Sequence, residues 1–171
     1  TLEDHRFVET PGGRRSAAIA DWTVAKIRRL GADGVKVLAW YRPDGQQPDA
    51  NRHIDWRPVD LLKPHTVAAA IEDAMPAQIF HIAGAPQVAS SFNTAVPHLQ
   101  TNVLGTQHLL EAVRRSGRPC RILVVSSAQV YQVGDEPIHE DAPLVPSTPY
   151  GLSKLAQDRL ADRAFVEDGL D

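Results

Sequence analysis

The sequence predicts an α/β fold, a doubly wound parallel sheet with helices on both faces. Three observations carry that prediction. The apolar run Ile122-Leu123-Val124-Val125 ends abruptly at Ser126-Ser127. A buried parallel strand looks like this when it delivers polar groups at its carboxyl end. Strand-like runs alternate with helical patterns along the chain, as crossover units require. Finally, Ser147-Thr148-Pro149 announces a helix after a loop. A hydroxyl N-cap is followed there by proline, whose missing N–H costs nothing in the first turn.

Taken in order, residues 6–8 form a short first strand. Thr10-Pro11-Gly12-Gly13-Arg14-Arg15-Ser16 is a turn, and a helical pattern through Leu30 follows it, marked by Ile19, Trp22, Val24 and Ile27. Residues 35–40 read as the second strand, ended by Tyr41-Arg42-Pro43-Asp44-Gly45, and residues 45–52 as a polar loop. Residues 53–59 form the third strand. Pro58 inside it argues for a sheet edge. Asp60 then caps, or lies before, a helix over residues 64–74. Residues 78–82 are the fourth strand, with His81 as a packed strand residue, and Ala83-Gly84-Ala85 follow it. A helix over 96–116 carries Asn102, either a buried polar link or a residue satisfied locally. Gly117 ends that helix as a left-handed C-cap. The fifth strand starts at Arg121. The loop over 132–145 holds Glu140 and Asp141 as solvated or capping acids.

Composition excludes several classes of function. The 171 residues are enough for one domain with a sizeable core. Hydrophobic and charged fractions of 43% and 23% are ordinary for a globular protein. With a net charge of −3 and the pairs Arg14-Arg15, Arg28-Arg29 and Arg114-Arg115 scattered, no nucleic-acid face is expected. Cys120 is the one cysteine, so no internal disulfide forms. No apolar run has membrane-spanning length, and no secretory leader pattern is visible, so a cytoplasmic place is expected. The seven histidines lack close metal-ligand spacing, and no metal is assigned.

The candidate chemistry lies at the last helix. Tyr150 and Lys154 are four apart, on one helical face. A free phenol has a pKa of about 10, and a neighbouring ammonium favours its ionised form. Such a phenol can pass a proton to or from a sugar hydroxyl or carbonyl. Ser127 is placed to hold the same oxygen by a hydrogen bond. Together the three suit hydride transfer at a carbinol carbon, with a nicotinamide taking the hydride.

Five blocks resemble the extended short-chain dehydrogenases/reductases that act on nucleotide-diphosphate sugars. They are Ile79-Phe80-His81-Ile82-Ala83-Gly84, Thr101-Asn102-Val103-Leu104-Gly105-Thr106, Leu109-Leu110-Glu111-Ala112, Ser126-Ser127-Ala128-Gln129-Val130-Tyr131 and Pro149-Tyr150-Gly151-Leu152-Ser153-Lys154. A lone Tyr-x-x-x-Lys is weak; five blocks in order are specific. Resemblance implies a Rossmann-type NAD(P)-binding domain over residues 1–171, with strand order 3-2-1-4-5-6. It implies that Ser127, Tyr150 and Lys154 are catalytic. Cofactor contacts would come from Gly12, Gly13, Arg42, Asp60, Leu61, Ala83, Gly84, Tyr150 and Lys154, and substrate contacts from Gln87, Val88, Ser127 and Gln129. Proteins of this kind usually continue for about as long again, into a last strand and a smaller sugar-binding domain, and here both ends look cut. A homodimer through helices near 96–116 and 149–165 is a further implication.

Two departures matter. The three glycine places of the family's phosphate turn hold Thr10, Gly13 and Ser16, and Pro11 removes a backbone donor. That leaves open a divergent phosphate loop, a corrupted N-terminal sequence, lost cofactor binding, or an ordinary Pro-Gly turn before a helix. The second strand ends in Ala39-Trp40-Tyr41-Arg42, with no acid for ribose hydroxyls. Arginine there suits a 2′-phosphate, so NADP is preferred, with NAD possible.

The reaction is narrowed by Gln129. Dehydratases of the family usually place a glutamate two positions after the catalytic Ser/Thr, and an amide cannot act as that base. Reduction or 4-epimerisation is therefore preferred. A GDP-mannose-type 4,6-dehydratase, or a non-catalytic or incomplete dinucleotide-binding module, remains the alternative. Tyr41-Arg42-Pro43, Ala85-Pro86-Gln87-Val88 and Ala156-Gln157-Asp158 resemble the branch of GDP-mannose dehydratases and GDP-4-keto-6-deoxy-mannose reductases.

Overall fold

A computed structural model of the chain describes residues 29, 34–45, 54–84, 94–134 and 137–170. The expected first strand, the turn with Gly12 and Gly13, the helix through Leu30, and Gln87 and Val88 lie outside these. Two compact units make up the chain, Thr1–Pro58 and Val59–Asp171.

In the first unit, β1 (Val37–Tyr41) pairs in parallel with β2 (Ile54–Pro58). Tyr41 stands opposite Pro58, so the proline falls at the last pair of the ladder. An absent N–H costs least at such a position. Sequence placed the start of this strand at Val35. The ladder begins instead at Val37, because Gly34 turns the chain at φ 84° and Val35 is exposed. At the other end Tyr41 still has its partner, and the strand runs one residue further than expected.

The second unit holds β3 (Gln78–His81) and β4 (Arg121–Val124), again parallel, with Phe80 opposite Leu123 and His81 opposite Val124. Second beside third strand and fourth beside fifth are the neighbours that the order 3-2-1-4-5-6 demands. Side chains alternate across the pair. Phe80, Ile82, Leu123 and Val125 are exposed on one face, whereas His81 turns to the other and is buried among the helices.

Helix α1 (Pro64–Ala74) opens with proline in its first turn. Asp60 does not cap it. The N-cap is Lys63, and the Asp60 carboxylate accepts instead from Leu62 N at 3.0 Å, closing the turn before the helix. Val67 and Ile71 on α1 are buried where α1 packs on the helix Gly105–Ser116, whose own buried face is Leu109, Leu110 and Val113. This is the apolar core of the unit.

The helix expected over 96–116 is not uniform. It consists of α2 (Val96–Leu99), a π-helical stretch Gln100–Leu104, and α3 (Gly105–Ser116). Gly105 N–H reaches back five residues to Gln100 O. Widening of this kind inserts one residue into a turn and is tolerated where side chains fix it. Here Asn102 is fully buried, and its carbonyl accepts from Thr106 Oγ1 at 2.7 Å. Apolar spacing carries no trace of it. Gly117, at φ 63°, caps α3 as expected.

Helix α4 (Pro149–Asp168) begins as its sequence demands. Thr148 is the N-cap and Gly151 N–H donates to its hydroxyl at 2.9 Å. Its buried face is unusual: Ser153, Lys154 and Gln157 are buried, while Leu152, Phe165 and Val166 are exposed. Thr148→Ala, by removing the cap, is expected to cost about 0.5–2 kcal/mol. A chemical-denaturation midpoint measured against the unchanged protein tests this, with the denaturant slope unaltered.

Candidate active site

The carboxyl end of β4 meets the first turns of α4. Beyond β4, Ser127 caps a one-turn 3₁₀ helix, Ala128–Val130, its hydroxyl accepting from Gln129 N–H at 3.2 Å. The preceding Ser126 donates to Asp158 on α4 at 2.5 Å. Gly151 lies so near the carbonyl of Gln129 that any Cβ there would collide with it. Glycine at this position lets the turn carrying Tyr150 rest directly against the turn carrying Ser127 and Gln129. Tyr150 is half-buried, and its ring meets that of buried His98 edge-on, with centroids 6.2 Å apart.

Lys154 is the buried cation of this region, 6% exposed. Its Nζ donates to the Val125 carbonyl at 2.5 Å and to Gln157 Oε1. Burial holds its pKa below the ordinary lysine value, and the Asp158 carboxylate opposes that shift.

Behind Lys154 lies a polar network with a fixed direction. Gln157 Nε2 donates to Thr106 Oγ1 at 2.8 Å, and Thr106 passes its single proton to Asn102 O. The hydroxyl has no second proton to give, so His81 Nε2, 2.8 Å away, must be a donor to it. Burial, reinforced by the Lys154 ammonium, lowers the His81 pKa to about 4. His81 is thus a neutral imidazole with its proton on Nε2. A second branch runs from Asn102 Nδ2 to Ser153 Oγ at 2.8 Å and on to Tyr150 O at 2.7 Å. Asn102 is therefore a link between α4 and the helix before it.

The remaining candidates are placed less centrally. Gly84 sits under Asn102; a Cβ there would lie 2.9 Å from Asn102 Oδ1. Ala83 beside it is exposed. Leu61 is held through its carbonyl, which accepts from His108 at 2.7 Å, but among the described residues no hydrogen bond joins Asp60 or Leu61 to Tyr150 or Lys154. Arg42, in the other unit, is exposed and forks onto Asp44 at 2.6 and 3.0 Å. That hydrogen bond holds the Asp44 carboxyl below its usual pKa. Beside Ser127 opens a cavity of about 540 Å³, lined also by Ser126, Tyr131, Glu140 and Asp158. Ser127 lines it, and neither Tyr150 nor Lys154 does. Cys120 is buried, its thiol pushed up by burial, which suits packing rather than reactivity.

Gln157, Thr106 and Ser153 were not singled out as site residues from sequence. The signal was helical spacing, Gln157 three residues beyond Lys154 and Thr106 four beyond Asn102.

Comparison with known proteins finds relatives of this chain. The profile of the NAD dependent epimerase/dehydratase family matches residues 25–171. A GDP-6-deoxy-D-mannose reductase of Pseudomonas aeruginosa is 35% identical over 113 residues, 64% of this chain and 37% of its own. Among solved structures, a UDP-glucose 4-epimerase of Thermus thermophilus in complex with NAD superposes at a TM-score of 0.76. It is 26% identical and covers 84% of this chain and 47% of its own. RMD from Pseudomonas aeruginosa, complexed with NADPH, is 33% identical at a TM-score of 0.61 over 71% of this chain and 42% of its own. The chain spans less than half the length of each of these relatives. The fold is the Rossmann-type α/β fold.

The neutral His81 has a measurable consequence. Its pKa is about 6.5 unfolded and about 4 folded, so between these values the unfolded chain binds more protons. Its contribution to stability is full above about 6.5 and is lost as pH falls toward 4, to the extent of roughly 3 kcal/mol. Unfolding free energy measured from pH 7 down to pH 4 should fall more steeply in the parent than in His81→Gln, which does not titrate. Equal slopes would exclude a buried neutral His81.

Proposed function

The chain belongs to the NAD dependent epimerase/dehydratase family, and on that premise we propose that its protein is a nicotinamide-dependent reductase or 4-epimerase of nucleotide-diphosphate sugars. The observation that carries the proposal is the junction of β4 and α4. It sets the serine turn, the Tyr150 turn and the buried Lys154 ammonium against one another.

In this reading Ser127, Tyr150 and Lys154 are the catalytic residues. A sugar carbonyl oxygen is held by the Ser127 hydroxyl and protonated by the Tyr150 hydroxyl, with Lys154 one helical turn further along α4. In the opposite direction Tyr150 Oη takes the proton of the sugar hydroxyl. A bound nicotinamide supplies or accepts the hydride at the same carbon, so that alcohol and carbonyl interconvert as it is oxidised or reduced. The chain's donor set suits that cofactor. An ammonium and a phenol lie one turn apart, and Ala83-Gly84 follow β3 with no side chain larger than a methyl group. Asp60 and Leu61 are assigned to the adenine end, Gly12 and Gly13 to the pyrophosphate, and Gln87, Val88 and Gln129 to the substrate.

Gln129 follows Ser127 by two positions and lies in the one-turn helix that Ser127 caps. An amide there favours simple carbonyl–alcohol chemistry over 4,6-dehydration. NADP is the proposed cofactor form, through Arg42. Its present fork with Asp44 would have to open, or be shared, to receive a 2′-phosphate. Residues 1–171 are read as one cofactor domain of a cytoplasmic homodimer joined through the helices near 96–116 and 149–165. No described helix is long and apolar enough to cross a membrane.

The test is turnover of the intact protein, given NADP⁺ or NAD⁺ with GDP-6-deoxy-D-mannose or UDP-glucose. Nicotinamide absorbance and chromatography of the sugar products are followed. Tyr150→Phe is expected to lower kcat by about 100-fold or more. Gln129→Glu should retain activity well above that background. Full activity in Tyr150→Phe would overturn the reading; loss of all activity in Gln129→Glu would overturn the role given to Gln129.

A further inference from the structure

Lys154 cannot hold its own position. A lysine side chain has four methylene torsions, and an ammonium in an apolar interior must find acceptors. Two of its three N–H donors are committed, one to a backbone carbonyl and one to Gln157 Oε1. The carbonyl is supplied by whatever residue follows β4. Only the second acceptor depends on side-chain identity.

Gln157 is built for the task. It is wholly buried, on the same helix and one turn beyond Lys154. An ammonium only donates, so the amide oxygen must face it and the amide N–H must face Thr106. Thr106 in turn needs a donor on this side, since its own proton is spent on Asn102 O. His81 fills the last acceptor position of that hydroxyl. Both ends of the amide are therefore dictated, and a 180° flip would break both hydrogen bonds at once. Threonine and histidine come from α3 and β3, so the amide ties Lys154 to the sheet as well as to its own helix.

We propose that Gln157 is a positioning residue, which fixes the Lys154 ammonium for the Tyr150 chemistry through an oriented hydrogen-bond relay to Thr106 and His81. The inference rests on the functional reading given above. It assigns Gln157 no contact with substrate or cofactor; its effect passes through Lys154.

The experiment uses the intact protein with NADP⁺ and GDP-6-deoxy-D-mannose, or whichever sugar nucleotide of the panel is turned over. Gln157→Met keeps length and removes both polar ends. Its kcat is expected to fall between about 10- and 100-fold, the scale set by displacing a catalytic group by about 1 Å, with both KM values within about three-fold. Gln157→Glu keeps an acceptor facing the ammonium but loses the donor to Thr106, whose proton must then turn from Asn102 O to the carboxylate, so it should recover only part of kcat and stay clearly above Gln157→Met. Gln157→Asn keeps the amide but is one methylene short, and should resemble Gln157→Met. It serves in place of that variant if circular dichroism shows the methionine protein unfolded.

Wild-type kcat in Gln157→Met or Gln157→Asn overturns the inference. Equal impairment in the glutamate variant overturns it too, for then the side chain only fills space. A parent protein that transfers no hydride, or a fully active Tyr150→Phe, overturns the functional reading and the inference with it. Normal behaviour in those two controls confines any failure to Gln157.

Discussion

The candidate site depends on one constraint, an ammonium group placed inside a protein. Lys154 is almost wholly removed from water, and an ammonium there can donate but never accept. That fixes the orientation of everything behind it. The Gln157 amide can point only one way, Thr106 can spend its proton only on Asn102, and His81 can only be a donor. Polar side chains thus occupy the inner face of α4, and apolar ones such as Phe165 and Val166 are left outside. A helix of this kind is placed by hydrogen bonds at its amino-terminal half. The apolar core proper lies further away, between α1 and α3.

Close backbone approach complements the network. Gly151 brings the Tyr150 turn against the Ser127 turn, and Gly84 leaves space for the Asn102 amide. Neither glycine has positive φ; each is needed for clearance alone. Both belong to the blocks by which the sequence resembles its family, which gives that resemblance a physical content. The π-helical stretch has a related role. By inserting a residue before α3, it presents Asn102 to Ser153 while leaving its carbonyl to Thr106.

Much of this was legible beforehand. The bounds of α1, the proline start and hydroxyl cap of α4, and the glycine stop of α3 follow from local rules, and local rules are written in adjacent residues. Strand limits were legible to within two residues; the ladder partner decides the rest, as Val35 and Tyr41 show. The π-helical stretch has no signature in adjacent residues, and the Asn102 side chain that it carries finds its partner 51 residues away, at Ser153. The cap is only one of two readings open for Asp60, and nothing in sequence separates a carboxylate that closes a turn, as this one does, from one that caps the next helix. Most informative is the inner face of α4. Hydrophobic periodicity assumes that apolar side chains are buried, and here the buried face is Ser153, Lys154 and Gln157. Tyr150 and Lys154 were found by chemical pattern, where patterning of hydrophobic residues would have passed them over.

In the proposed function these residues form the nicotinamide end of a dinucleotide site. The most direct measurement is an equilibrium titration of the protein with NADPH and with NADH, followed by quenching of Trp22, Trp40 and Trp56 fluorescence. Saturable binding of both is expected, weaker in Lys154→Met, with NADPH the tighter of the two and its advantage lost in Arg42→Ala. Absence of saturable binding by either nucleotide, or affinity unchanged in Lys154→Met, would contradict the proposed function.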